Sequence, residues 1–480
     1  MKKSIRAALA AATAGMLLLM PACNKTPVNS TVSQTGESGK TTQPTELSLP
    51  EYRWDDDLDF GGIEVVIASP FEVDLTPGSS NEADRLLRRI EYVENNYNCT
   101  VTFEQIEQGA YWNNMATVIM SGDSYGDILV GSSYYLCDWI KAGAVKDIRP
   151  YAESLGLDFY DGTWLTTCTE EYTYGDAIYA FSKKRGELNS AFLYNKSMFE
   201  ANNLTTPNEL IAQGKKWDFA TFQDYSRKLT KVNSSGAVEQ YGTAIYCRDV
   251  VLSGLIQANG GKIVTENDAN HSVSLTLTSS NALEAMTLFS NMFTTDRTMF
   301  HMDEVKIPEL FYSDKLGMMI VPEWMLSFLQ DYATEHSLES DYVLTYFPVG
   351  PNGTEYIDPG TGPEGMFVPV TADAVKTKAA LAVYAQLYEL EEGVTREMDA
   401  RTNGESLFMD EESVDVYVDI LMNNRCRPNG TTRCGIYYNW IFDITDAFIA
   451  GKGTPQSIID TYEASLNASI EESCYKKLMG

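Results

Sequence analysis

From residue 62 onward, short apolar runs rich in β-branched residues alternate with longer segments of helical periodicity, and that alternation limits the fold class. Residues 62–68 hold Ile63, Val65, Val66, Ile67 and Ala68 and are broken by Ser69 and Pro70, which reads as a buried strand ending in a loop. Leu86, Leu87, Ile90, Val93 and Tyr97 recur at helical spacing over 83–97, and Glu82 and Asp84 place acids where a helix N-terminus favours them. Residues 100–104 and 127–131 read as further strands around a helical 112–120. Strand and helix in this order predict α/β layers with a mostly parallel sheet. Ligands of open sheets bind beyond the carboxyl ends of strands, which points to Phe71 and Glu72 and to a loop carrying Tyr134 and Tyr135.

A second α/β region begins near residue 191. It has predicted strands at 241–246 and 316–321, helices at 250–258 and 282–293, and returning strands at 342–347 and 366–370. Helices are predicted over 377–392, 414–422, 440–450 and 455–478. No internal repeat is visible.

The N-terminus reads as an address. Lys2, Lys3 and Arg6 precede 14 uncharged residues, Ala7 to Met20, too few for a membrane span of about 20 and fitting a signal-peptide core. Ala22 before Cys23 resembles the lipobox of bacterial lipoproteins, which implies cleavage after residue 22 and lipidation of Cys23; ordinary secretion with cleavage elsewhere is the alternative. Residues 24–50 are Ser-, Thr-, Gln-, Gly- and Pro-rich and predict a flexible leash. Seven further cysteines, dispersed and with no C-x-x-C pair, form no disulfide framework and no zinc site, although Cys426 and Cys434 flank a turn and could pair.

Charge and motifs exclude several classes. With 36 Lys+Arg against 67 Asp+Glu and a net charge of -31, the chain repels phosphate backbones, so no nucleic-acid partner is expected. Gly122-Asp123-Ser124-Tyr125-Gly126 matches G-x-S-x-G, but a helix precedes it and a strand follows, the reverse of a nucleophile elbow. The acidic run 55–59 lacks the glycine and glutamate of a calcium loop, and the three histidines are isolated. No catalytic residue, cofactor or metal is expected. The 28 tyrosines are the unusual excess, and aromatics beside turns can stack on sugar rings.

Several segments together resemble the bacterial extracellular solute-binding proteins of family 1, receptors of sugar-type ABC importers. They include Asp127-Ile128-Leu129-Val130, Phe192-Leu193-Tyr194-Asn195-Lys196-Ser197-Met198-Phe199, Trp217-Asp218-Phe219, Asn259-Gly260-Gly261, Lys315-Leu316-Gly317-Met318-Met319 and Gly451-Lys452-Gly453-Thr454-Pro455. The resemblance implies a two-lobed periplasmic-binding-protein-like fold (type II) with mixed sheets flanked by helices and a ligand cleft between the lobes. Position along the chain puts residues 51–181 and 367–412 in the first lobe and 182–366 and 413–480 in the second, with crossings near 180–188, 360–368 and 410–416.

Carried over residue by residue, the family's ligand-binding positions fall on Phe71, Glu72, Tyr134, Tyr135, Arg185, Arg248, Asp249, Trp324, Glu364, Tyr437, Tyr438 and Trp440. Arg248 stands where several sugar receptors carry an acid, which opens the ligand class to acidic or sulfated sugars. The resemblance implies a monomeric, non-enzymatic receptor, lipid-anchored at the extracellular face of the cell membrane. It would bind a small solute, an oligosaccharide first, and present it to an ABC permease. A peptide or other small solute in the same fold, a secreted carbohydrate-active enzyme, and an adhesion lipoprotein are the rivals.

Overall fold

The computed structural model describes residues 58–183, 187–267, 269–338, 342–423 and 425–479. Cys23, the leash and Arg185 lie outside the described residues. Three strands come first: β1 (Ile63–Ser69), β2 (Cys99–Gln105) and β3 (Ile128–Gly131). From residue 191 the second sheet takes β4 (Ala191–Asn195), β5 (Val238–Ile245), β6 (Met299–His301), β7 (Leu316–Val321) and β8 (Tyr342–Thr345). The last three are β9 (Asp358–Gly360), β10 (Gly365–Phe367) and β11 (Cys426–Pro428).

Nine of these strands make two mixed sheets, and β9 and β11 form a separate pair. The first runs β10-β3-β1-β2, with β1 parallel to both neighbours and β10 antiparallel to β3. The second runs β6-β5-β7-β4-β8, and a short strand at Lys231–Val232 pairs with β5 on one side. In it β5 is parallel to β6 and β7, and β4 is antiparallel to β7 and β8. Every residue of β3, β4, β7 and β8 is buried, as continuous apolar strands between helical layers must be. The first helix, Asn81–Tyr97, starts where Ser80 accepts a hydrogen bond from Ala83 N and stops at Asn98 in the left-handed region, φ 47°.

Where the chain passes between the sheets it is tied down by one buried carboxylate. Asp358 accepts hydrogen bonds from the backbone N–H of Asn189 and of Ser190, both at 2.9 Å, and from Asn189 Nδ2 at 3.1 Å. β9 also pairs in parallel with β11, and Phe181 bridges Met366 beside β10. Arg433 adds a second tie: it donates to the carbonyls of Glu171 and Thr173 and pairs with Glu266 at 3.1 Å.

Two expectations differ from the structure. The crossing expected at 410–416 lies inside the helix Glu411–Met422, where Ser413 Oγ accepts from Leu344 N at 2.9 Å and so fixes the helix to β8. The chain passes over earlier, between the helix Ala374–Leu387, buried with the first sheet, and the helix Arg396–Leu407, whose Ala400 is buried with the second. That second helix carries no apolar stripe for periodicity to find; Gly404 lies against Tyr417 and Val414 where a Cβ would crowd both. The helix expected at 455–478 is two, Pro455–Glu471 and Cys474–Met479, and Cys474 and Tyr475 return to the first sheet's core.

Asp358→Ala should strand three donors and cost about 2 kcal/mol of stability. Chemical denaturation measures it, and a loss below about 0.5 kcal/mol contradicts the assignment.

Candidate ligand-binding cleft

The loops beyond the strand ends converge on a cleft of about 490 Å³ between the two sheets, within the range of small-ligand sites. From the first sheet's side come Ser132, Ser133 and Tyr134, which follow β3, and Trp164 to Thr167. From the second come Cys247 and Val250 after β5, Pro322, Glu323 and Trp324 after β7, and Ile420 to Met422. The crossing segment supplies Asp358 and Gly360 to Glu364. Gly131 lets this geometry form: a Cβ there would lie 2.8 Å from Leu136. The sides touch where Ser133 Oγ meets Thr361 Oγ1 at 3.0 Å and where the rings of Tyr134 and Tyr437 lie 4.8 Å apart.

Trp324 is the open aromatic of the cleft. It is 49% exposed, and the rings of Tyr246 and Phe328 pack against it near-perpendicular, with centroids 5.3 and 5.6 Å away, fixing the ring. Beside it, Glu323 Oε2 accepts from Leu188 N at 2.7 Å. Trp164 is buried against Phe159, Phe181 and Tyr384, and its Nε1 has no hydrogen-bond partner.

Three buried carboxylates surround this space, and desolvation dominates each. Burial pushes Asp358 up to about 6, against the hydrogen bonds from Asn189 and Ser190. Burial likewise raises Asp249 to about 6, against its own hydrogen bonds and Arg248, and its Oδ2 has no partner. Glu171, packed behind Gly362, is raised to about 7 by burial, with Arg433 opposing and Glu266 adding to the shift. Its Oε1 is also without a partner.

The sequence-predicted residues divide. Tyr134, Trp324 and Glu364 line the cleft, and Tyr437 packs on Tyr134. Asp249 sits between the lining residues Cys247 and Val250 in sequence, buried. Tyr134 and Tyr135 are in the first turn of the helix Ser133–Lys141, not in a loop. Tyr135 stacks on Trp112 at 5.2 Å, and Phe71 meets the same indole at 6.4 Å, with Glu72 exposed beside it. Tyr438 is half exposed against Phe442.

Two assignments are overturned. Trp440 is wholly buried and donates through Nε1 to Asp249 O at 3.1 Å, so it is a core residue. Arg248 pairs with Asp446 at 2.8 Å and lies over Phe442 at 6.0 Å, outside the cleft lining, which removes the ground for an acidic or sulfated ligand. Sequence reasoning missed Glu323 and Trp164: Glu323 adjoins the tryptophan it named, but nothing in the polar context of Trp164 marks it. Ser124 Oγ donates to Gly126 O at 2.6 Å in the turn before β3. Among the described residues no group of His, Cys, Asp and Glu is arranged to hold a metal ion.

The sequence profile described as "Bacterial extracellular solute-binding protein" matches residues 80–388. The chain belongs to this family. Solved structures agree on the fold of a solute-binding protein. The maltose/maltodextrin-binding domain MalE from Bdellovibrio bacteriovorus, bound to maltotriose, is 15% identical with a TM-score of 0.57, over 85% of this chain and 100% of that one. The ABC substrate-binding protein of Listeria monocytogenes in complex with cycloalternan is 15% identical, TM-score 0.55, over 85% and 99%. UgpB from Mycobacterium tuberculosis in complex with glycerophosphocholine is 14% identical, TM-score 0.59, over 86% and 99%. Comparison with curated protein sequences returns no match.

Trp440→Ala should cost about 3–5 kcal/mol of stability as a filled core site is emptied, while Trp324→Ala costs under about 1 kcal/mol. Equal losses in denaturant titrations contradict the assignment of one to core and the other to cleft. The raised carboxylates set a pH dependence: protonation favours the folded state, so their contribution is fully present below about pH 4 and lost as pH rises through 6 to 7. The melting temperature of this solute-binding protein should therefore be higher at pH 5 than at pH 8, and Asp249→Asn should flatten the difference. A melting temperature highest at pH 8 contradicts it.

Proposed function

We infer that this solute-binding protein captures a carbohydrate, an oligosaccharide first, and delivers it to an ABC permease. One observation carries the reading: an indole half exposed and wedged between Tyr246 and Phe328, inside a cleft rimmed by hydroxyl and carboxylate groups. An aromatic face takes the CH face of a sugar ring, while acids and hydroxyls take its OH groups. Relatives of the same fold are bound to maltotriose and to cycloalternan. The glycerophosphocholine bound to a third favours one second reading, a non-sugar polar solute in the same cleft.

In this reading the lobes are built around the two sheets. The first takes residues 58–181, 365–387 and the helix Cys474–Met479; the second takes 191–357 and 396–471. The segments between them form the hinge, and solute shifts the population toward the closed form. Lipidation at Cys23 and the leash over 24–50 hold the receptor at the outer face of the membrane, near its permease. It binds as a monomer and returns its ligand unchanged.

The test is a thermal-shift screen of the full chain against mono- and oligosaccharides, polyols, glycerophosphodiesters and peptides, followed by calorimetric titration of the hits. An oligosaccharide should raise the melting temperature, and Trp324→Ala should weaken its binding by about 10- to 100-fold. Unchanged affinity, or turnover of the ligand abolished by removing one carboxylate, would sink the reading.

A further inference from the structure

Beside the first sheet, one cation is buried without a counter-charge. The inward face of the helix Asn81–Tyr97 carries Ala83, Leu86, Val93 and Tyr97, and Arg89 stands among them at the same helical spacing, wholly buried. Arginine is almost never fully buried unless it is paired. Among the described residues Arg89 has no ion-pair partner. The two acids whose charge reaches it are engaged elsewhere: Glu391 pairs with Arg88 at 3.4 Å, and Glu389 pairs with Lys183. Burial, then Arg85, lowers the Arg89 guanidinium to about 10 against the pull of Glu391 and Glu389, so it keeps its charge at neutral pH.

Its nitrogens are used unequally. Nη1 donates to Gln386 O at 2.8 Å, near the end of the helix Ala374–Leu387. Nε and Nη2 have no partner. Those two N–H bonds lie along one edge of the planar guanidinium and run parallel, forming the fork that takes a single anion or both oxygens of an oxyanion. Gln386 is itself wholly buried, and its Nε2 is a third donor without a partner, while its Oε1 accepts from Tyr97 Oη at 3.4 Å. A buried charge whose aligned donors go unmet is strongly destabilising.

We propose that a small monovalent anion, chloride or an ion of its size, sits on the Nε–Nη2 edge of Arg89, between the helices Asn81–Tyr97 and Ala374–Leu387. The complete burial of Arg89 and Gln386 sets the size limit and disfavours phosphate or a sugar acid. Three residues after Gln386, Glu389 holds Lys183, which lies at the start of the earlier passage between the sheets. The ion would therefore brace the point at which the chain leaves the first sheet for the second. The site does not depend on what the cleft binds.

The test uses the full chain. Its melting temperature is followed as chloride replaces gluconate at constant ionic strength, which holds general screening fixed. It should climb by about 1–2 °C for each tenfold rise in chloride once the site fills. Arg89→Met and Arg89→Lys, the second keeping a charge without the fork, should each abolish that dependence. Crystals of the unaltered chain soaked in bromide give a readout even where a variant fails to fold: an anomalous peak in contact with both Nε and Nη2 is expected. Equal melting temperatures in chloride and gluconate overturn the proposal. So does a bromide map with no peak there, or one in which the Gln386 amide is turned so that Oε1 occupies the fork. A chloride dependence that persists in both variants places the effect elsewhere on the chain and overturns it as well.

Discussion

The carboxylate of Asp358 is placed where the chain leaves one sheet for the other, and much of the cleft depends on it. It gathers the N–H groups of Asn189 and Ser190 on one strand of the passage and fixes β9, the adjoining strand, beside them. β9 in turn aligns β11 and runs directly into Thr361, whose hydroxyl reaches Ser133 on the first sheet's side. Removing those acceptors would free both the passage and the floor of the cleft at once. A buried acid is an expensive fastener, because desolvation opposes its charge even with three donors aimed at it. Its presence here fits a joint that must be definite in direction while its two flanking bodies stay separate.

The same expense recurs around the cleft. Asp249 and Glu171 are buried with one oxygen each lacking a partner, and Trp164 has an indole N–H in the same condition. Orphaned polar atoms are rare in a folded chain and each costs stability. Others on Arg89, Asn208 and Gln386 lie elsewhere in the core, so such atoms are spread through the described residues and are not confined to the cavity. Arg248 shows the opposite case: its charge is consumed by Asp446, so its position near the strand end does not make it a ligand group.

Much of this was legible in the residues. The α/β class followed from alternating periodicities, because β3 and β7 are apolar throughout and buried throughout. The rule that sites lie beyond strand ends pointed to Tyr134, which lines the cleft, and to Phe71 and Glu72, which do not; Trp324 came from the family resemblance. The helix Arg396–Leu407 was not, because Gly404 and Ala400 build its contact by smallness, leaving no apolar stripe to read. Trp440 misled because an aromatic beside a turn looks alike whether its face meets solvent or Asp249. Asp358 and Trp164 were invisible for a related reason: their roles depend on partners more than 150 residues away or on a cavity, and neither leaves a local pattern.

The central claim is that solute is held in this cleft against the face of Trp324. A crystal structure of the full chain with its best-bound glycan tests it most directly. A sugar ring within about 4 Å of the indole face, with hydroxyls reaching the cleft-lining Glu323 or Glu364, is the predicted result. A glycan bound elsewhere, with the Trp324 face still open to water, would contradict it.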